Sequence, residues 1–213
     1  MMEDIVHRDG ASLAALIGSR ICHDLINPIG AISNGLELVG MGGASPDGPE
    51  MSLIQQSCDN ATARIRFFRI AFGSADDARP IPVREAQKTL ADHFEGTRYR
   101  TEWSIETDVG RNVVQLAYLA VLCLEMALPQ GGVLMVDMQD GALVVEGRSD
   151  TVRADQPLWD MLVSGIVPIP DLRPADVQFA LLARLCQDHD IRPQQIVDEG
   201  LVRLRLTLPA NDG

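Results

Sequence analysis

Two kinds of hydrophobic spacing divide the chain. From Leu13 to Val39 apolar residues return every three or four positions, through Ile17, Ile21, Leu25, Pro28, Ile32 and Val39, with Ile29 and Leu36 on the flank. That is one face of an α-helix, and it predicts a helix from about Ala11–Ser12 to Gly40. Residues 1–10 read as a polar lead-in, and residues 40–49, rich in Gly, Pro, Ser and Asp, as a loop. A second helix follows from about Glu50 to Phe72. Its apolar residues Met51, Ile54, Cys58, Ala61, Ile65, Phe68 and Phe72 alternate three and four apart, the spacing of a bundle seam. The opposite face holds Gln55, Asp59, Asn60, Arg64, Arg66 and Arg69 and reads as solvated. Two such helices make an antiparallel hairpin with little core of its own. A second copy related by a two-fold axis would close it into a four-helix bundle, so a homodimer is expected. Packing of the hairpin on its own C-terminal half is the alternative.

After residues 73–82, a linker by composition, the spacing changes. A helix is predicted over about Val83–Phe94 and a strand over Arg100–Thr107, where Trp103 and Ile105 alternate with polar residues. A long apolar helix follows at about Asn112–Leu128. Residues 133–138 and 142–146 read as a hairpin turned at Asp140-Gly141. A short helix around Gln156–Val163 precedes Pro168-Ile169-Pro170. Pro174 opens a helix to about His189. A last hairpin pairs residues 194–197 with 201–208 across Glu199-Gly200. In its second arm Val202, Leu204, Leu206 and Leu208 alternate with Arg203, Arg205 and Thr207. The expected fold class is α+β. A helical hairpin at 1–75 precedes an α/β sandwich at 80–213, an antiparallel-rich sheet with helices on one face.

Composition narrows the partners. The 213 residues are 46% hydrophobic but only 4% aromatic, so a core is available and is built from aliphatic side chains. A formal net charge of −12 speaks against nucleic acid, whose binding relies on Lys and Arg at phosphates, and against an anionic membrane surface. Cys22, Cys58, Cys123 and Cys186 are scattered, which fits free thiols, mostly buried, in a reducing cytoplasm. The charged first ten residues do not form a signal peptide. The most apolar run, residues 113–128, is interrupted by Gln115 and Glu125 and ends at Pro129, so it reads as a buried helix rather than a membrane span.

The candidate chemistry lies in the first helix. A residue advances about 100° around a helix, so His23 sits roughly 160–200° from Ile21 and Leu25 and points off the stripe that must be buried. Arg20, Ile26 and Asn27 share its face at i−3, i+3 and i+4. Pro28 has no N–H, so the Asp24 carbonyl loses its intrahelical partner beside the histidine. By spacing alone, a lone outward histidine on a helix is most often just a solvated side chain. Asp24 is placed to accept a hydrogen bond from its ring, and Asn27 lies one turn on. Asparagine before proline also favours a kink by itself. His7, His93 and His189 form no cluster, and Glu125 reads as a structural acid.

A hairpin followed by an α/β sandwich is the layout of sensor histidine kinases, and His23-Asp24-Leu25-Ile26-Asn27-Pro28 resembles their phosphoacceptor box. The stretch from Leu16 to Leu38 more closely resembles the ChpT-type histidine phosphotransferases of alphaproteobacteria, and Leu124-Glu-Met-Ala-Leu-Pro-Gln-Gly-Gly132 resembles a second segment of that family. The kinase nucleotide motifs are missing. Where a kinase would carry the asparagine of its ATP box, this chain has Leu122-Cys-Leu-Glu-Met126-Ala127, and neither Leu nor Met offers the oxygen that Mg²⁺ requires. Residues 148–153 and 169–174 lack the paired glycines that let backbone approach a phosphate.

The resemblance implies a cytoplasmic phosphorelay carrier with a degenerate ATPase-like sandwich. It implies a phosphohistidine on His23 assisted by Asp24 and Asn27, with Arg20 and Ile26 meeting the partner. The expected partners are receiver domains of a hybrid histidine kinase and of response regulators. No cofactor or metal is expected in this chain, Mg²⁺ being carried by the receiver. An ATP-dependent autokinase and a receiver-binding scaffold without transfer are the competing functions.

Overall fold

The computed structural model describes residues 2–42, 48–74, 80–166 and 172–209. The first helix, α1 (Met2–Gly42), is longer than its apolar stripe, because the polar lead-in continues the helix instead of standing apart. After the loop, whose residues 43–47 lie outside the described residues, α2 (Pro49–Ala71) runs back along it. Pro49 suits the first turn of a helix, where its missing N–H leaves nothing unpaired. The two helices approach closely at Gly35, where a Cβ would come within 2.5 Å of Ile54 Cγ1.

The seam predicted on α2 divides into two rows. Ile54 and Phe68 are buried, with Ala61 half-buried between them. Met51 and Ile65, seven residues to either side of half-buried Cys58, stay 37% and 52% exposed. At its C-terminal end the helix meets more than α1. Phe67, Ile70 and Ala71 are buried there against the rest of the chain, so the buried arc widens beyond a single seam. The alternative expectation, packing of the hairpin on its own C-terminal half, holds at that end of α2. One end packs on the C-terminal half, and apolar positions elsewhere are left uncovered. Arg64, expected on the solvated face, is half-buried.

The remaining elements follow the sequence pattern closely. They are α3 (Val83–Phe94), β1 (Tyr99–Trp103), α4 (Arg111–Ala127), β2 (Gly132–Gln139), β3 (Ala142–Arg148), α5 (Gln156–Ser164), α6 (Val177–Asp188), β4 (Arg192–Asp198) and β5 (Leu201–Thr207). Residues 75–79 of the linker and the Pro168–Pro170 loop lie outside the described residues. Ile81, assigned to the linker from composition, is instead a buried anchor bridged to Val109. The first strand ends at Trp103, four residues short of the predicted stretch. Even so, Ser104 donates to the Val136 carbonyl and Ile105 is buried.

The sheet order is β1-β2-β3-β5-β4, with β1 parallel to β2 and every other pair antiparallel. Asp140 (φ 50°) and Gly141 (φ 73°) turn the β2–β3 hairpin. Two successive left-handed residues match the twist of the flanking strands. Across the sheet Val136, Val145 and Leu204 stand in register on one face, and Met135, Glu146 and Arg203 on the other. The apolar face is covered by α4, whose residues from Val114 to Leu124 are all buried. On the other face Glu146 receives Arg203 at 2.8 Å and Arg148 at 2.6 Å. The helices thus lie on one side, as predicted.

The hairpin is anchored by aromatic stacking. The Phe67 ring lies 3.9 Å from His93 and 4.5 Å from Tyr118, nearly parallel to both. The Tyr118 hydroxyl donates to the Ala86 carbonyl at 2.7 Å. Such contacts add roughly 0.5–1.5 kcal/mol per aromatic pair beyond the area they bury.

Candidate functional site

His23 lies midway along α1 with its side chain 78% exposed. The two residues that order it are covered: Arg20 is 17% exposed and Asp24 13%. The Asp24 carboxylate reaches His23 Nδ1 with Oδ1 at 3.0 Å and accepts from Arg20 Nε with Oδ2 at 2.8 Å. Both oxygens are thereby committed. A carboxylate only accepts hydrogen bonds, so the contact requires the proton on Nδ1. In the neutral ring with that tautomer, Nε2 carries the lone pair.

The backbone at this point is repaired across the hairpin. The Asp24 carbonyl, deprived of its helical partner by Pro28, accepts from an Arg64 terminal nitrogen at 3.3 Å. The turn of α1 that carries His23 is therefore tied to α2. Arg64 is a residue that sequence reasoning placed on a solvated face. Its partner lies 40 positions away, so no local pattern could have found it, although the orphaned carbonyl pointed to the need for a donor.

Two more groups feel the charges of the site. Glu125 of α4 is pushed above the usual carboxylate range by burial. Arg20 and Arg64 oppose that shift and Asp24 adds to it, so the structural acid of the sequence sits within the field of the site. His93 is driven down to about 3 by burial, with Arg64 and Arg20 adding repulsion. Its Nδ1 is buried without a hydrogen-bond partner, so the ring is neutral and structural.

Of the other sequence-predicted site residues, Asn27 is exposed on the same face as His23, and Ile26 is 65% exposed beside it. Arg20 is turned inward. Besides Asp24 it reaches the Ala175 carbonyl at 2.9 Å, so two of its nitrogens are spent within the chain. Of the residues singled out from sequence, His23, Ile26 and Asn27 are exposed on α1 while Arg20 and Asp24 are covered beside them; Arg64 and the field of Glu125 were not foreseen.

In the sandwich, the stretch that would carry a kinase ATP box is apolar. Leu122 is buried in the core and Met126 receives Gln178 Nε2 on its sulfur at 2.8 Å. Among the described residues no group of three or more His, Cys, Asp and Glu could hold a metal ion, and no helix is long and apolar enough to cross a membrane. The described cysteines are all free, with Cys123 and Cys186 buried, Cys58 half-buried and Cys22 exposed.

Residues 83–196 match the histidine phosphotransferase C-terminal domain family. The protein phosphotransferase ChpT of Brucella abortus (strain 2308) is 38% identical over 162 residues, which are 73% of this chain and 76% of that protein. This chain belongs to the histidine phosphotransferase family. A solved bacterial phosphotransferase superposes with a TM-score of 0.75 at 31% identity, over 91% of this chain and 95% of that one. Its agreement over both the hairpin and the sandwich supports the α+β architecture. Membership makes the chain a protein phosphotransferase of the phosphorelay kind. The domain match begins at Val83 and so describes the sandwich. The role of each hairpin residue rests on the geometry above.

Proposed function

We propose that His23 is the phosphoacceptor and that the chain relays a phosphoryl group between receiver domains through it. The observation that carries this reading is the His23–Asp24 pair: an exposed imidazole whose Nδ1 is held by a covered carboxylate, leaving Nε2 free. Nε2 attacks the phosphorus of an aspartyl phosphate on the donor receiver. The N–P bond forms as the O–P bond breaks, and the donor carboxylate leaves with the electron pair. The reverse displacement, by a carboxylate of the acceptor receiver, returns Nε2 to the neutral state. Asp24 holds the Nδ1 proton throughout and balances the positive charge that develops on the ring. Asn27, one turn on, donates its amide to the phosphoryl oxygens, and Ile26 gives the docking receiver an apolar contact. The Mg²⁺ that neutralises phosphoryl charge comes with the receiver, since transfer is mostly positioning and electrostatics. ATP is not the source, because the box that would hold its Mg²⁺ is lined by Leu122 and Met126.

The assembly in this reading is a homodimer built on α1 and α2. Support comes from the divided seam. Ile54 meets α1 at Gly35 and Phe68 is buried, while Met51 and Ile65, each seven residues from half-buried Cys58, stay exposed. Ile29 and Leu36, also seven apart and each 55% exposed, make a matching row on α1. In a four-helix bundle each helix meets two neighbours through such alternating rows.

The test is transfer from a phosphorylated receiver. Radiolabel should move onto the wild-type chain as acid-labile, base-stable phosphohistidine and be absent from His23→Gln. Label that stays on every receiver tried, or that enters His23→Gln equally well, contradicts the proposal.

A further inference from the structure

The C-terminal half reaches the site through a hydrogen bond to Arg20, and that contact has a chemical consequence. Arg20 forks. Its Nε binds Asp24 Oδ2 at 2.8 Å, and a terminal nitrogen binds the Ala175 carbonyl, 155 positions away, at 2.9 Å. Ala175 is the middle residue of a 3₁₀ turn, Pro174–Asp176, that leads into α6. The turn is fixed from both sides. Arg173 holds Asp176 with two hydrogen bonds, at 2.6 and 3.0 Å, and fully buried Gln178 donates to the same Ala175 carbonyl at 2.9 Å. Gln178 also rests on Met126 of α4. A continuous chain of contacts therefore runs from α4 and α6 through Ala175 and Arg20 to Asp24 and the imidazole.

We propose that Arg20 is a positioning residue through which the C-terminal half selects the tautomer of His23. The inference rests on the reading of His23 as phosphoacceptor. Asp24 has two oxygens, and Arg20, gripped from behind, takes one of them. The carboxylate plane is then fixed, and the other oxygen meets Nδ1 at 3.0 Å. A free imidazole in water favours the proton on Nε2, which blocks the nitrogen that must attack. The fork reverses that preference by holding an acceptor at Nδ1. Arg suits the task because its rigid planar head presents separate donors to two acceptors at once, which a lysine ammonium on a flexible stem does less well. The sandwich thus contributes to the reactivity of a histidine on another element without touching it.

The experiment reads the ring nitrogens of His23 by long-range ¹H–¹⁵N correlation in the full-length protein at pH 8, beside phosphotransfer rates from a labelled receiver. Wild type should show Nδ1–H as the major form. Arg20→Gln should move the population toward Nε2–H and slow transfer about tenfold or more, with an unchanged fold by circular dichroism. Arg20→Lys should recover part of both. Gln178→Met, which removes the second donor at Ala175 while keeping side-chain volume, should shift the tautomer in the same direction by less. A transfer defect in Arg20→Gln with the tautomer unmoved would overturn the inference and make Arg20 a contact for the receiver. Wild-type protein that takes no label on His23 would instead overturn the reading beneath it, whatever the tautomer.

Discussion

The sandwich and the hairpin use the same kinds of apolar residue and treat them differently. In the central strands of the sandwich the inward-facing apolar residues are closed off. Val202, Leu204 and Leu206 of β5 are fully buried, as are Leu134 and Val136 of β2, and α4 covers them. In the hairpin the repeat is half used. Ile54 and Phe68 are buried, but Ile65, Met51, Ile29 and Leu36 stand in solvent along with Leu38 and Met41. Single exposed apolar residues are ordinary, but rows of them seven apart on a hairpin are the basis of the proposed dimer interface. The proposed phosphoacceptor follows the same division. The histidine sits on the incomplete element, while the complete one supplies its support from behind. A fold that receives phosphate from other proteins needs its nucleophile on an accessible helix and its precision from a closed core.

The largest effect expected from breaking this contrast is on assembly. Replacing Ile65 and Met51 with Asp puts charge into the proposed interface, where desolvation of an unpaired carboxylate is costly. The double variant should weaken dimerisation at least 100-fold by light scattering or sedimentation while the helix content stays put, since both side chains are already partly in water. An equally tight dimer in this variant would mean that the exposed row is not the contact.

A graded effect belongs to the junction between the two regions. Burial holds His93 near 3 in the folded chain, against about 6.5 for an unperturbed histidine. Between those values the unfolded state binds the extra proton, so stability rises with pH and falls as the pH drops through this window, by up to roughly 1.4 kcal/mol per pH unit. Its loss begins below about 6.5 and is complete near 3. His93→Gln should be less stable at pH 7, because the stack on Phe67 is lost, yet should show a flatter decline between pH 6 and pH 4 in urea unfolding. Parallel slopes for the two proteins would show that other groups govern the acid limb.

Much of the sandwich was legible because its signals are local. The Asp140-Gly141 turn, the alternation from Leu201 onward and the capping Pro174 each fix an element within a few residues. The hairpin was legible as two helices but not in its packing. A stripe of apolar residues tells which face is dry, not which of two neighbours dries it, so Met51, Cys58 and Ile65 looked equivalent to Ile54, Ala61 and Phe68. The polar first turns of α1 carry no apolar period, so their helicity left no pattern to follow. At the site, Pro28 announced an orphaned carbonyl from sequence alone. The donor that satisfies it, Arg64, and the grip of Ala175 on Arg20 come from chain segments 40 and 155 residues away and depend on the tertiary fold.

The central claim is that phosphate both arrives at and leaves His23 by way of proteins. It is tested most directly by loading the purified chain from a labelled donor receiver, removing the donor, and adding a second, unphosphorylated receiver with Mg²⁺. Label is expected to leave His23 and appear on the aspartate of the second receiver, with none transferred by His23→Gln. Label that persists on the chain with every receiver offered, or that is released only as inorganic phosphate, would contradict it.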